Sequence, residues 1–159
     1  MRPKILLCLG LVLVAAAACA ETKADPMTPR HRQVKQDYLA YWDAMLRANA
    51  VSDPDSPALG ERTAGRQLAL VRTALTRARE TGIVAKGKVG HDLREISVDR
   101  ARASVVDCVT IKDWIQYDAK TDTVKADQLF ARPNQLVRYT LAPRGNGWLV
   151  TDYQDMGTC

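Results

Sequence analysis

Apolar positions along the chain change their rhythm twice. Residues 5–18 form an unbroken run of 14 apolar residues, varied only by Cys8 and Gly10. Residues 20–29 show no period and contain two prolines, so they read as a flexible tether. Over Pro29–Asn49 the step becomes three and four: Val34, Tyr38, Tyr41, Trp42, Met45 and Asn49 fall on one stripe, which predicts an amphipathic helix with Asp37, Asp43 and Arg47 off it. Pro54 and Pro57 break that helix. A short helix over 57–64 is expected next, capped by Ser56, then an interruption at Gly65. A second long helix over 66–81 carries Leu68, Val71, Leu75 and Ala78 inward and Arg66, Arg72, Arg77 and Arg79 outward, with Gly82 as its stop.

After Gly82 the period falls to two. Short extended pieces are predicted over 84–98, around Gly87 and Gly90. The clearest strand spans 101–111, with Ala103, Val105, Asp107, Val109 and Ile111 on one face. Residues 118–123 form a polar turn, and 135–142 and 148–153 are further strands joined by the Gly145-Asn146-Gly147 turn. Helices first and hairpin-linked strands after them mean an α+β fold with an antiparallel sheet.

The apolar run at 5–18 follows Arg2 and Lys4 and falls short of the roughly 20 residues a membrane span needs, so residues 1–18 read as a signal peptide. Four alanines then precede Cys19, which resembles the lipobox of bacterial lipoproteins. That resemblance implies cleavage before Cys19 and a diacylglycerol on its sulfur, with residues 19–30 as lipid attachment and tether. An ordinary cut after Ala18-Cys19-Ala20 is the alternative and implies a soluble secreted protein. Residues 31–159 then form one domain. Loss of Arg2 and Lys4 lowers the net charge from +5 to +3, which with export argues against a nucleic-acid partner. Arg30, His31, Arg32 and Lys35 stand where the tether ends, either facing anionic headgroups or wall polyanions or simply solvated. Outside the cytoplasm the remaining even pair, Cys108 and Cys159, is expected to form a disulfide. His31 and His91 lack ligand spacing with these cysteines, so neither a metal nor any other cofactor is expected.

Tyr38-x-x-Tyr41-Trp42, Asp107-Cys108, Gly145-Asn146-Gly147-Trp148-Leu149-Val150 and the final Cys159 together resemble the nuclear-transport-factor-2-like (cystatin-like) superfamily, over about residues 33–159. Within it the likeness is to actinobacterial secreted proteins and lipoproteins. The resemblance implies a half-cone: N-terminal helices packed in the curl of a strongly bent antiparallel sheet.

The chain contains no G-x-S-x-G, phosphate-cradling Gly loop, H-E-x-x-H or dinucleotide fingerprint. Superfamily enzymes place acid and base groups inside the cone, and Asp107, between Val105 and Val109, occupies such a position. No second group pairs with it in the sequence pattern, His91 being assigned to a Gly-rich loop. Asp107, Trp114, Tyr38 and Tyr139 are therefore the expected ligand- or partner-binding residues, against the plainer alternative of core and anchor roles. The expectation is a membrane-tethered, non-catalytic module at the outer face of the cell membrane, held by Cys19, that binds a small, partly apolar ligand or an envelope protein. An assembly role with a filled interior, or an isomerase- or hydrolase-like enzyme, are the alternatives.

Overall fold

A computed structural model describes residues 27–125 and 133–159. The expected signal peptide, Cys19 and the tether as far as residue 26 lie outside the described residues. Helix α1 (Pro29–Asn49) begins where Thr28 Oγ1 accepts the His31 N–H at 3.3 Å, with Pro29 in the first turn where its missing N–H costs nothing. Pro29 and Arg30 are thus already helical, as the stripe over Pro29–Asn49 predicts.

The inward face of α1 holds Val34, Tyr38, Tyr41, Trp42, Ala44, Met45 and Ala48. Asp37, expected outside, is also buried. Its carboxylate accepts the Trp148 N–H at 2.9 Å and Gln33 Nε2 at 3.0 Å, and Arg62 Nη1 lies 3.4 Å away, so burial leaves it satisfied. Helix α2 (Pro57–Arg62) follows Ser56, whose side chain makes no capping bond. Helix α3 (Gly65–Glu80) starts at Gly65 and buries Gln67, Val71 and Leu75, while Leu68 and Ala78 are half-buried.

Among the described residues six strands form two antiparallel sheets: β1 (Ile83–Gly87) with β4 (Trp114–Asp118), and β2 (Gly90–Val98), β3 (Ala103–Thr110), β5 (Asn134–Arg144) and β6 (Gly147–Asp155) in the order β2-β3-β5-β6. The α+β class, the N-terminal helices and the antiparallel pairing are as expected. The sheets stay open, neither closed nor strongly curled. Bulges between Leu93 and Glu95 and opposite Thr140/Leu141 bend β2 and β6. A Cβ at Gly87 would lie 2.0 Å from the Asp113 carbonyl, and that residue's φ is +116°, so only glycine fits where the β1 and β4 backbones meet.

Alternation along β3 sends Ala103, Val105, Asp107 and Val109 towards α1, where Val137, Tyr139 and Leu141 of β5 and Trp148 and Val150 of β6 complete the core. Cys108 points to the other face and bonds to Cys159, the two Cα atoms 5.9 Å apart. The disulfide seats the last residues on β5, where Leu136 exchanges backbone bonds with Met156 and Gly157 at 2.8 and 3.0 Å.

Candidate functional site: a buried carboxylate between a helix and a hairpin

Asp107 is fully buried at the centre of β3. An unpartnered carboxylate there would be costly, and three donors converge on this one. Oδ1 accepts the Asp92 N–H at 2.9 Å, and Oδ2 accepts Tyr38 Oη–H at 2.7 Å and lies 2.6 Å from His91 Nδ1. A carboxylate only accepts, so His91 presents its Nδ1 proton and leaves Nε2 as the basic nitrogen. The imidazole is 16 % exposed.

This corrects two expectations. His91 lies in β2 rather than in a loop, and Asp107 does have an ionisable partner. The register explains the contact. Leu93 stands directly opposite Asp107, and His91, two residues before it on the same face, is the diagonal neighbour.

Aromatic rings close the cluster. Tyr38 and Tyr139 centroids are 5.2 Å apart, Trp42 lies edge-on to His91 at 5.2 Å and to Tyr139 at 6.1 Å, and Tyr139 stands 6.1 Å from Tyr153. The Trp42 indole N–H faces the Tyr38 hydroxyl without closing a hydrogen bond. Burial drives the Tyr38, Tyr41 and Tyr139 hydroxyls well above the usual phenol range, with the nearby Asp107 charge adding to the rise at Tyr38 and Tyr139. All three stay protonated, Tyr38 donating to Asp107 and Tyr41 to Met45 Sδ.

Trp114 is half-buried at the start of β4, 6.4 Å from Trp42, and lines a small cleft of about 100 Å³ with Asn49, Ala85, Ile111 and Gln116. Its indole N–H is buried without a partner. Tyr38, Tyr139 and Asp107 thus meet, and Trp114 joins them only through Trp42. A cleft of about 490 Å³ runs along α3 past Arg72, Thr76 and Glu80, and two others flank the β5–β6 hairpin. One, of about 420 Å³, is lined by Asp37, Glu61, Arg62, Arg144 and Trp148; the other, of about 310 Å³, by Arg30, Gln33, Asn146 and Trp148. Among the described residues no group of three or more His, Cys, Asp or Glu side chains is placed to hold a metal, and no helix is long and apolar enough to cross a membrane.

Sequence reasoning missed His91, Asp37 and Gln67. Gln67 Nε2 donates to Tyr41 Oη at 2.6 Å, fixing α3 to α1. Its position one place before Leu68 gave no hint of burial.

No protein-family model matches the chain, and no curated protein matches it in sequence. Solved structures similar to it include the intermembrane-space region of the chloroplast protein ARC6, with TM-score 0.60 and 15% identity over 84% of this chain and 100% of that one. Two Nostoc punctiforme proteins with a cystatin-like fold, a domain and a protein of unknown function, also match. They have TM-scores of 0.46 and 0.45 at 9% identity, over 79% and 76% of this chain and 78% and 88% of theirs. At such identities the likeness concerns the fold alone. The Cys108–Cys159 bond separately suggests a compartment outside the reducing cytoplasm.

Proposed function

We propose that the chain is an exported lipoprotein, tethered through Cys19 to the outer face of the cell membrane, that works as a non-catalytic module and engages its partner at the domain surface. The observation that carries this reading is the occupied interior. Tyr38, His91 and the Asp92 N–H satisfy both oxygens of Asp107, and Tyr38, Trp42 and Tyr139 pack beside it. An interior ligand would have to displace a Tyr or the imidazole. The bulges support a bend of the sheet about α1 in the sense of the half-cone.

Detergent-phase partition tests the tether: wild type should enter the detergent phase and Cys19→Ser the aqueous phase. Native mass spectrometry of protein taken from its own envelope tests the interior. The expected mass is that of polypeptide plus lipid, alone or with a protein partner. A small molecule retained by wild type and lost in Asp107→Asn would overturn the filled-interior reading.

One observation favours a second reading, that His91 acts as a general base. Asp107 at 2.6 Å orients the ring and holds its proton on Nδ1, leaving Nε2 as the basic nitrogen of a side chain that is 16 % exposed. A turnover abolished by His91→Gln, in a protein that melts like wild type, would establish it.

A further inference from the structure

Ala103 pairs with Leu141 in the β3–β5 register, so the β2–β3 turn at 99–102 and the tip of the β5–β6 hairpin project from the same end of the sheet. The first turn of α1 lies at this end too. Arg30 Nη2 donates to the Asp99 carbonyl at 3.0 Å, and its guanidinium sits 5.6 Å from the Trp148 ring centroid. Arg30, Arg32, Arg100, Arg102 and Arg144 are all exposed here, with Arg62 of α2 beside the hairpin. The acids of this end are fewer: buried Asp37 pairs with Arg62, Glu61 shares the hairpin cleft with Arg62 and Arg144, and Asp99, whose charge acts on Arg102 and Arg30, accepts the N–H groups of Ala101 and Arg102 at 2.7 and 2.8 Å. Among the described residues no carboxylate stands within 4.0 Å of the cationic nitrogens of Arg30, Arg100, Arg102 or Arg144.

The opposite end, where α1 stops and β3 leads into β4, is not poor in cations, with Arg47, Arg79, Lys86 and Lys88 among them, but there Arg79 pairs with Asp55 and Lys86 with Asp122, and Asp53, Asp113 and Asp118 stand close by in the chain. The arginine end is therefore distinguished by cations such as Arg100 and Arg144 that have no ion-pair partner among the described residues, not by holding all of the positive charge. Helix stability does not account for that: α1 has no acid in its first turn, and cations beside a helix N-terminus oppose its dipole. The chain also enters the domain at this end, since residues 27 and 28 lead directly into α1. Cys19 is ten residues before Pro29, a reach of at most roughly 35 Å for a fully extended chain.

We propose that this arginine-rich end docks onto the anionic phospholipid headgroups of the membrane that tethers the chain. The setting rests on the tethered reading above, but the surface can be tested without the lipid. The Cys19→Ser chain, exported through its own signal and purified after processing, is mixed with vesicles of phosphatidylcholine alone or with phosphatidylglycerol. It should bind only the mixed vesicles and lose binding as salt rises. Each basic residue at an anionic surface multiplies partitioning about fivefold, so Arg100→Gln/Arg102→Gln/Arg144→Gln should lower it about a hundredfold. Arg100→Glu alone, at a solvated turn position, should lower it in the same direction with no effect on melting. Arg72→Gln/Arg77→Gln/Lys88→Gln, which removes equal charge elsewhere, should leave it within a factor of about three of the parent.

Equal losses in both triple variants would reduce the effect to net charge and overturn the docking surface. Displacement by inorganic phosphate at matched ionic strength would mean a free-anion site instead. Preference for soluble polyphosphate over the vesicles would make a polyanion the partner. Failure of wild type to enter the detergent phase, with vesicle binding intact, would remove the tether and leave the surface standing.

Discussion

Asp107→Asn tests the central cluster with almost no change of shape. The Asp92 N–H can only donate, so the new side chain must keep its carbonyl at the Oδ1 position. That puts the amide nitrogen where Oδ2 was, 2.7 Å from Tyr38 Oη and 2.6 Å from His91 Nδ1. His91 can adapt by moving its proton to Nε2 and accepting at Nδ1. Tyr38 cannot adapt as well: its oxygen can accept from the amide, but its own proton then has no acceptor. The hydroxyl is fully buried, and the nearest indole, Trp42, is only a donor. Orphaning a buried donor costs about 1–3 kcal/mol, and loss of the charge-assisted bonds is partly offset because no carboxylate need be desolvated.

The expected destabilisation is therefore about 1–3 kcal/mol, a fall in Tm of about 4–12 °C for a domain of this size. The double-mutant cycle with Tyr38→Phe isolates the cause. Removing the hydroxyl removes the orphan, so the double variant should be less destabilised than the sum of the single ones by about 1–2 kcal/mol. Urea unfolding followed by tryptophan fluorescence measures each corner, since Trp42 lies against the cluster. Additivity within about 0.3 kcal/mol, or an Asp107→Asn protein that melts like wild type, would refute the anchoring role.

The disulfide closes a loop of 51 residues, so Cys108→Ala/Cys159→Ala should lose about 4 kcal/mol in the chain-entropy account, read from the shift in urea midpoint; a loss below about 1 kcal/mol would show that the tail contributes little. Tyr38, Tyr41 and Tyr139 ionise far higher in the folded chain than the ordinary value of 10.0. The unfolded chain releases those protons first, so their contribution is complete below pH 10 and is lost as pH rises beyond it. Their phenolate absorbance should appear together with loss of near-ultraviolet circular dichroism, and ionisation of all three ahead of unfolding would contradict their burial.

Strand β3 was legible because both its neighbours and α1 enforce one alternation, and Asp107 stood out as the polar residue on an apolar face. Its partner was not. Gly87 and Gly90, both just before His91, read as a loop, yet Gly90 already belongs to β2 opposite Thr110. Once β2 is extended back to Gly90, the spacing of His91 and Leu93 supplies the missing signal, but only with the hairpin register known. Asp37 carried no local signal at all. It sits next to the α1 stripe, and the N–H it accepts belongs to Trp148, 111 residues away. Trp114, next to Asp113 at a strand end, reads as an exposed candidate beside Asp107, but β4 leaves that sheet to pair with β1 and the indole is half-buried.

Asp37 and Tyr38 are consecutive on α1, and their side chains diverge by about 100° around its axis. One accepts from the backbone of β6 and the other donates to a carboxylate on β3. Hydrophobic burial is non-directional, and a broad apolar face would tolerate a helix that rolled or slid. The two acids do not tolerate it. A slide of one turn, about 5.4 Å, would strip Asp37 of its Trp148 donor and Asp107 of its Tyr38 donor together, leaving two buried carboxylates short of partners. This pins α1 to the sheet at one rotation and one height. It also couples the interior to the surface. The Trp148 N–H that Asp37 accepts lies next to the hairpin tip, where a Cβ on Gly147 would come within 3.1 Å of the same carboxylate. The bond that orients the helix therefore also holds the hairpin against it, and with it the relative positions of Arg30 and Arg144. A domain whose interior is committed to fixing its helix has its adaptable chemistry at that outer end.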